Sequence, residues 1–160
     1  MATTSAGLLF YRTTTDGGFE VLLGHMGGPF WARKHDGAWT VLKGELDPDE
    51  DPHDAAVREA GEELGLPLPP SSGADVDLGE VRQRSGKRVL AWAREWPAPG
   101  PDLDLVRSNS VEIEWPPRSG KRLEVPEIDR VAWFAPDDAR QVVVSGQATL
   151  VDRLVTAVGG

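Results

Sequence analysis

Residues 44–66 read GELDPDEDPHDAAVREAGEELGL, and their reading decides the rest. Asp51 is a capping residue type, Pro52 suits a first helical position, and Asp54 is well placed in a first turn. Gly65 is a stop signal. The stretch therefore predicts a helix from about Pro52 to Leu64. On that helix Glu59, Glu62 and Glu63 are three and four residues apart and share one face. Like charges at that spacing each cost on the order of a few tenths of a kcal/mol. Glu62 and Glu63 also fall in the last turn, where the helix dipole favours cations. Gly61 inside the helix costs about 1 kcal/mol more against alanine. A hard divalent cation removes the conflict, because magnesium is held by carboxylate oxygens, water and substrate phosphate. A solvated acidic face is the alternative, and is the usual meaning of a Glu-rich helix.

The flanking residues favour the cation. Gly44, Glu50, Arg58, Glu59, Glu62, Glu63 and Gly65 fill every fixed position of the pattern G-x5-E-x7-R-E-U-x-E-E-x-G-U, where U is apolar. At average residue frequencies such a match arises by chance in about one chain in a million. The stretch resembles the Nudix box, the loop-helix-loop that binds magnesium or manganese against a diphosphate. The resemblance implies an α/β/α sandwich with a mixed central sheet, and roles for individual residues. Glu59, Glu62 and Glu63 correspond to the metal-binding glutamates, and Gly44 to the glycine whose carbonyl joins them. Glu50 and Arg58 correspond to a pair bracing loop against helix. Two positions depart from the usual pattern. Ala60 is smaller than the branched residue commonly found there, and Leu42 stands where many relatives carry proline.

Outward from the box, the elements are mixed. Residues 5–12 and Phe19–Met26 read as a hairpin about Asp16-Gly17-Gly18, and Ala38–Lys43 as a short strand. Residues 78–84 and 87–96 read as a second hairpin about Ser85-Gly86. Val111–Trp115 and Ile128–Phe134 read as strands, and 136–145 and 147–158 as helices. Strands, one early helix, more strands and late helices imply an α/β sandwich, not a repeating parallel βαβ fold. Weaker resemblance in Ser5–Leu9, Trp39 and Pro126–Phe134 points to the branch containing diadenosine polyphosphate and nucleoside triphosphate pyrophosphohydrolases. By that resemblance Glu127 is a candidate distal carboxylate, binding metal or acting as base, with Glu112, Glu114 and Glu124 as rivals. Phe30 or Trp31 is a candidate for stacking on a base, although aromatics at loop ends more often serve as core lids. Arg33, Lys43 and Arg118 are candidates for binding substrate phosphates, Arg118 within a basic strip ending Lys121-Arg122 that reads as a surface loop.

The chain has 160 residues, which suits a single domain over 1–160. It has no cysteine, which excludes disulfides, thiolate metal sites and cysteine nucleophiles. His25, His35 and His53 are not at zinc-ligand spacing and read as structural or exposed. A net charge of -9 argues against a nucleic-acid polymer, which is bound mainly by clustered Lys and Arg. No apolar run reaches the ~20 residues of a membrane helix, and Met1–Ala6 lacks a secretion-signal pattern, so a cytoplasmic protein is expected. The expected activity is metal-dependent hydrolysis of a phosphoanhydride in a nucleotide-like small molecule, with a homodimer allowed. The alternatives are a non-catalytic nucleotide sensor on the same fold, which would usually lack box glutamates, and a metal-free acidic interaction domain.

Overall fold

The computed structural model describes residues 3–71 and 73–159. In chain order the strands and helices are β1 (Thr4–Thr13), β2 (Phe19–Met26), β3 (Trp39–Thr40), β4 (Leu42–Glu45), α1 (Pro52–Leu64), β5 (Val76–Arg82) and β6 (Arg88–Glu95). They continue with β7 (Ser110–Glu114), β8 (Arg122–Pro126), β9 (Ile128–Phe134), α2 (Pro136–Val142) and α3 (Ala148–Leu154). A 3-10 turn at Leu103–Leu105 and a π turn at Val155–Gly159 complete them.

Seven strands form a mixed sheet. Its β1–β6 pair is parallel, and β1 also pairs antiparallel with β2 and β4. The period-2 alternation of β1 sends Leu8 and Phe10 to one face and Leu9 to the other, all with no exposed surface. On the first face they pack with Leu22, Leu42 and Ile128 against Ala55, Ala56, Ala60 and Leu64 of α1. On the second, Leu9, Val21, Leu23 and Trp39 meet Ala139 and Val142 of α2 and Leu150, Val151 and Leu154 of α3. Helices thus cover both faces of a mixed sheet, the α/β/α arrangement expected. Ala60 is fully buried, and its small side chain lets α1 lie close on the sheet.

The α1 boundaries follow from their caps. The Asp51 carboxylate accepts from Asp54 N at 3.0 Å. Gly65 ends the helix in the left-handed region at φ 64°, its N–H donating to the Gly61 carbonyl.

Three expectations change. The strand expected over Ala38–Lys43 is broken at Val41, whose N–H donates to the buried Gln147 side chain at 2.9 Å instead of to a strand. The helix expected to reach Ser145 stops at Val142, because Val144 N donates to the Trp39 carbonyl at 2.9 Å and draws the chain back to β3. The basic strip does not continue as loop through Arg122. Residues 122–126 form β8, paired in register with β7 in a separate two-stranded hairpin.

Candidate active site

The end of β4, the last turns of α1, the β8–β9 junction and the β7–β8 hairpin enclose a cleft of about 620 Å³. Small-molecule sites span ~300–1,000 Å³. Glu59 and Glu62 enter from α1, Gly44 from β4 and Glu127 from the junction. Glu63 lies just beneath, beside Lys43 and Glu127 in an adjoining cavity of about 140 Å³.

Backbone geometry brings these groups together. A Cβ built at Gly44 would stand 1.9 Å from Glu59 Oε2, so a side chain there would take the space of the carboxylate. Glu127 is held from both sides. Its N–H donates to the Asn109 carbonyl at 2.8 Å, and its own carbonyl accepts from Gly27 N at 3.0 Å. Gly27 permits this because a Cβ there would lie 2.0 Å from the Pro126 carbonyl oxygen.

Arg58 braces the acidic ridge. Its Nε and Nη2 donate to the two Glu50 carboxylate oxygens at 2.8 and 2.9 Å. Nη1 lies 2.8 Å from Glu59 and 3.3 Å from Glu62. The Arg58 hydrogen bonds, helped by Asp47 N, hold the Glu50 carboxyl down at about 2. Two-point guanidinium–carboxylate pairing fixes both partners, as a ligand-bearing helix needs from its supporting residues.

Glu63 is the anomaly. Only 2% of it is exposed, and its Oε2 is buried without a hydrogen-bond partner. Burial, then the hydrogen bond and negative charge of Glu127, then the charge of Glu59, push its carboxyl up to about 9. Burial and Glu62 likewise raise Glu59, against the pull of Arg58. A buried acceptor without a donor is costly, and here it sits beside two further carboxylates. This all-oxygen donor set, with the Gly44 carbonyl, fits a hard divalent cation. Among the described residues no three acidic or histidine side chains already stand close enough to enclose an ion.

The cleft also holds two lysines. Burial, and then the neighbouring Lys87, push Lys43 down to about 8, while Glu63 and Glu127 oppose them. Trp31 lines the same cleft. Its turn is fastened by His25, whose Nε2 donates to the Lys34 carbonyl at 2.8 Å while Nδ1 faces Asp129 at 2.9 Å.

The NUDIX domain family model matches residues 1–154. The chain belongs to the NUDIX family. An RNA pyrophosphohydrolase of Pseudomonas fluorescens strain SBW25 is 32% identical over 94 residues, 58% of this chain and 49% of that protein. The chain thus spans about half the length of the curated relatives it matches. Among solved structures, a C. elegans Ap4A hydrolase in a binary complex has a TM-score of 0.66 at 22% identity, covering 99% of both chains. RenU, a Nudix hydrolase of M. smegmatis, has a TM-score of 0.60 at 24% identity, covering 98% of this chain and 86% of its own. At these identities the structures establish the NUDIX fold.

Within this NUDIX cleft the candidates divide. Gly44, Glu59, Glu62, Glu63, Glu127, Lys43 and Trp31 come together, with Glu50 and Arg58 bracing them. Arg33 is exposed and does not line the cleft, because its turn presents Trp31 inward in its place. Arg118 is exposed between β7 and β8 and does not line it either. The rivals to Glu127 are engaged or solvated elsewhere: Glu112 pairs with Arg122 at 3.6 Å, Glu114 accepts from Gly120 N, and Glu124 is exposed. The cation missed in the sequence is Lys87, just past the Ser85-Gly86 turn. Parallel pairing of Thr4 with Arg88 brings it to the β1–β4 edge. No local signal could have placed it there.

Proposed function

We propose that this protein hydrolyses a phosphoanhydride bond of a nucleoside polyphosphate, a nucleoside triphosphate or dinucleoside polyphosphate, using magnesium or manganese. The cation would be held by Glu59, Glu62, Glu63 and the Gly44 carbonyl. Once bound there, it supplies charge neutralisation at phosphate oxygens and a more acidic water. The observation carrying the proposal is the buried, unpartnered Glu63 Oε2 beside Glu59 and Glu127, in a cleft that also contains two lysines.

The protein's own groups divide the remaining work. Lys43 and Lys87 hold phosphate oxygens, replacing charge that an acidic chain otherwise lacks. Glu127, fixed through its backbone, accepts a proton from water as the new O–P bond forms and the bridging P–O bond breaks. Arg58 and Glu50 keep Glu59 and Glu62 aimed into the cleft. The reading carries with it a cytoplasmic protein acting on free nucleotides as one domain, alone or as a homodimer.

A second reading, hydrolysis at the 5′ end of an RNA, is favoured by the name of the curated relatives, and the net charge of -9 stands against it. A panel of mononucleotides, dinucleoside polyphosphates and 5′-triphosphorylated RNA, hydrolysed in oxygen-labelled water, separates the two. The proposal expects label in a phosphate product from the free nucleotides. Turnover confined to RNA supports the second reading, and no turnover on any substrate refutes both.

A further inference from the structure

The β7–β8 hairpin is not part of the main sheet, yet its sequence is strictly two-sided. Its register pairs Val111 with Val125 and Ile113 with Leu123, which sets these four apolar residues on one face. The other face carries Glu112, Glu114, Arg122 and Glu124, with Glu112 and Arg122 3.6 Å apart. A hairpin of this kind normally buries its apolar face on a core. Here Val111 remains 38% exposed and Leu123 41% exposed.

That face is turned toward the cleft. Val111, Ile113 and Val125 line it together with Glu59 and Glu62. A Cβ at Gly28 would stand 3.4 Å from Val125, so the hairpin adjoins the turn that presents Trp31. The lining thus combines acidic residues of α1 and two lysines with apolar residues of the hairpin and Trp31. The apolar residues offer few groups able to read a base edge. The Asn109 amide, a side-chain donor in the lining, lies 3.4 Å from Glu62.

We infer that the apolar face of the β7–β8 hairpin, with Trp31, is the platform on which the nucleoside end of the substrate packs while its phosphates lie against the acidic residues of α1. The inference rests on the phosphoanhydride hydrolysis proposed above. It adds that the nucleoside is held by contact and shape, and that base identity matters little.

The experiment is equilibrium binding in magnesium, using a methylene-bridged adenosine triphosphate analogue and inorganic tripolyphosphate. The proteins are the unmodified chain and the double variant Val111→Ser, Ile113→Ser. Both positions lie on the solvent-accessible hairpin, and a matching melting temperature confirms that the variant is folded. The unmodified protein should bind the nucleotide at least about tenfold more tightly than tripolyphosphate, the discrimination that apolar contact of this size provides. The variant should lose about tenfold for the nucleotide and nothing for tripolyphosphate. Guanosine and uridine analogues should bind within about tenfold of the adenosine analogue. Equal affinity of the unmodified protein for nucleotide and tripolyphosphate overturns the platform alone. So does a variant that weakens both ligands alike or neither. Failure of the unmodified protein to bind either ligand with magnesium overturns the hydrolase proposal, and the platform with it.

Discussion

Replacing Glu63 by glutamine should make the metal-free protein more stable, by an amount that grows with pH. Burial and the adjacent Glu127 and Glu59 push the Glu63 carboxyl from an ordinary 4.5 up to about 9. A carboxyl raised in this way contributes fully to the fold below about 4.5, where both folded and unfolded chains carry the proton. That contribution is lost progressively as pH rises toward about 9, because the unfolded chain ionises while the folded chain must hold the proton. The limiting slope is about 1.4 kcal/mol per pH unit. From 4.5 to pH 7 this amounts to at most about 3 kcal/mol. Glutamine has nearly the same shape and no proton to retain. Urea unfolding in chelator at pH 5, 6, 7 and 8 measures the difference. The variant's advantage should be small at pH 5 and reach about 3–5 kcal/mol at pH 8. Added magnesium should stabilise the unmodified protein more than the variant. A pH-independent difference, or a variant less stable than the parent throughout, would refute the reasoning.

Other outcomes follow from the same structure. Glu127→Gln should lower kcat by about 100-fold to 10,000-fold with little change in KM, as expected for loss of a base. Its deficit should shrink at high pH, where hydroxide substitutes, and steady-state profiles from pH 6 to 9 will show whether it does. Asp75 is buried, which alone would raise its carboxyl, but hydrogen bonds from Arg94, His53 and Ser71 outweigh burial and hold it at about 2. Its stabilising effect is therefore full above about 3.8 and lost as pH falls through about 2. Asp75→Asn should cost about 2 kcal/mol at pH 7, and the gap to the parent should close in acid melts between pH 4 and 2. Gly61→Ala should raise stability by up to about 1 kcal/mol in a urea titration, because the nearest atom to its Cβ would be Leu68 Cδ1 at 4.0 Å.

The parts of this fold legible in sequence are those whose signals are local. Asp51, Pro52 and Gly65 bound α1 through their own backbone chemistry, and the apolar run within residues 5–12 marks a strand that the sheet buries. The box glutamates are legible because three carboxylates on one helical face need a reason. What stayed hidden depends on pairing between distant segments. Arg122–Pro126 alternates charged and apolar residues over only five positions, and its charge made it resemble the loop before it. Lys87 reaches the cleft through the parallel β1–β6 register, and Val144 leaves its helix for a bond to Trp39 more than a hundred residues away. Arg33 and Arg118 show the converse. Basic residues near a site in sequence are not thereby turned toward it.

The central claim is that a divalent cation at the box glutamates drives cleavage of a phosphoanhydride. Its most direct test is the initial rate of dinucleoside tetraphosphate and nucleoside triphosphate hydrolysis, in magnesium and in excess chelator, for the parent and for Glu62→Gln. Glu62 lies at the cleft surface of α1, so its replacement should leave the fold intact. The parent should turn over in magnesium only, and the variant should lose at least about 100-fold, equivalent to ~3 kcal/mol of transition-state stabilisation. Parent turnover that persists in chelator, or a variant within a few-fold of the parent, would contradict the claim.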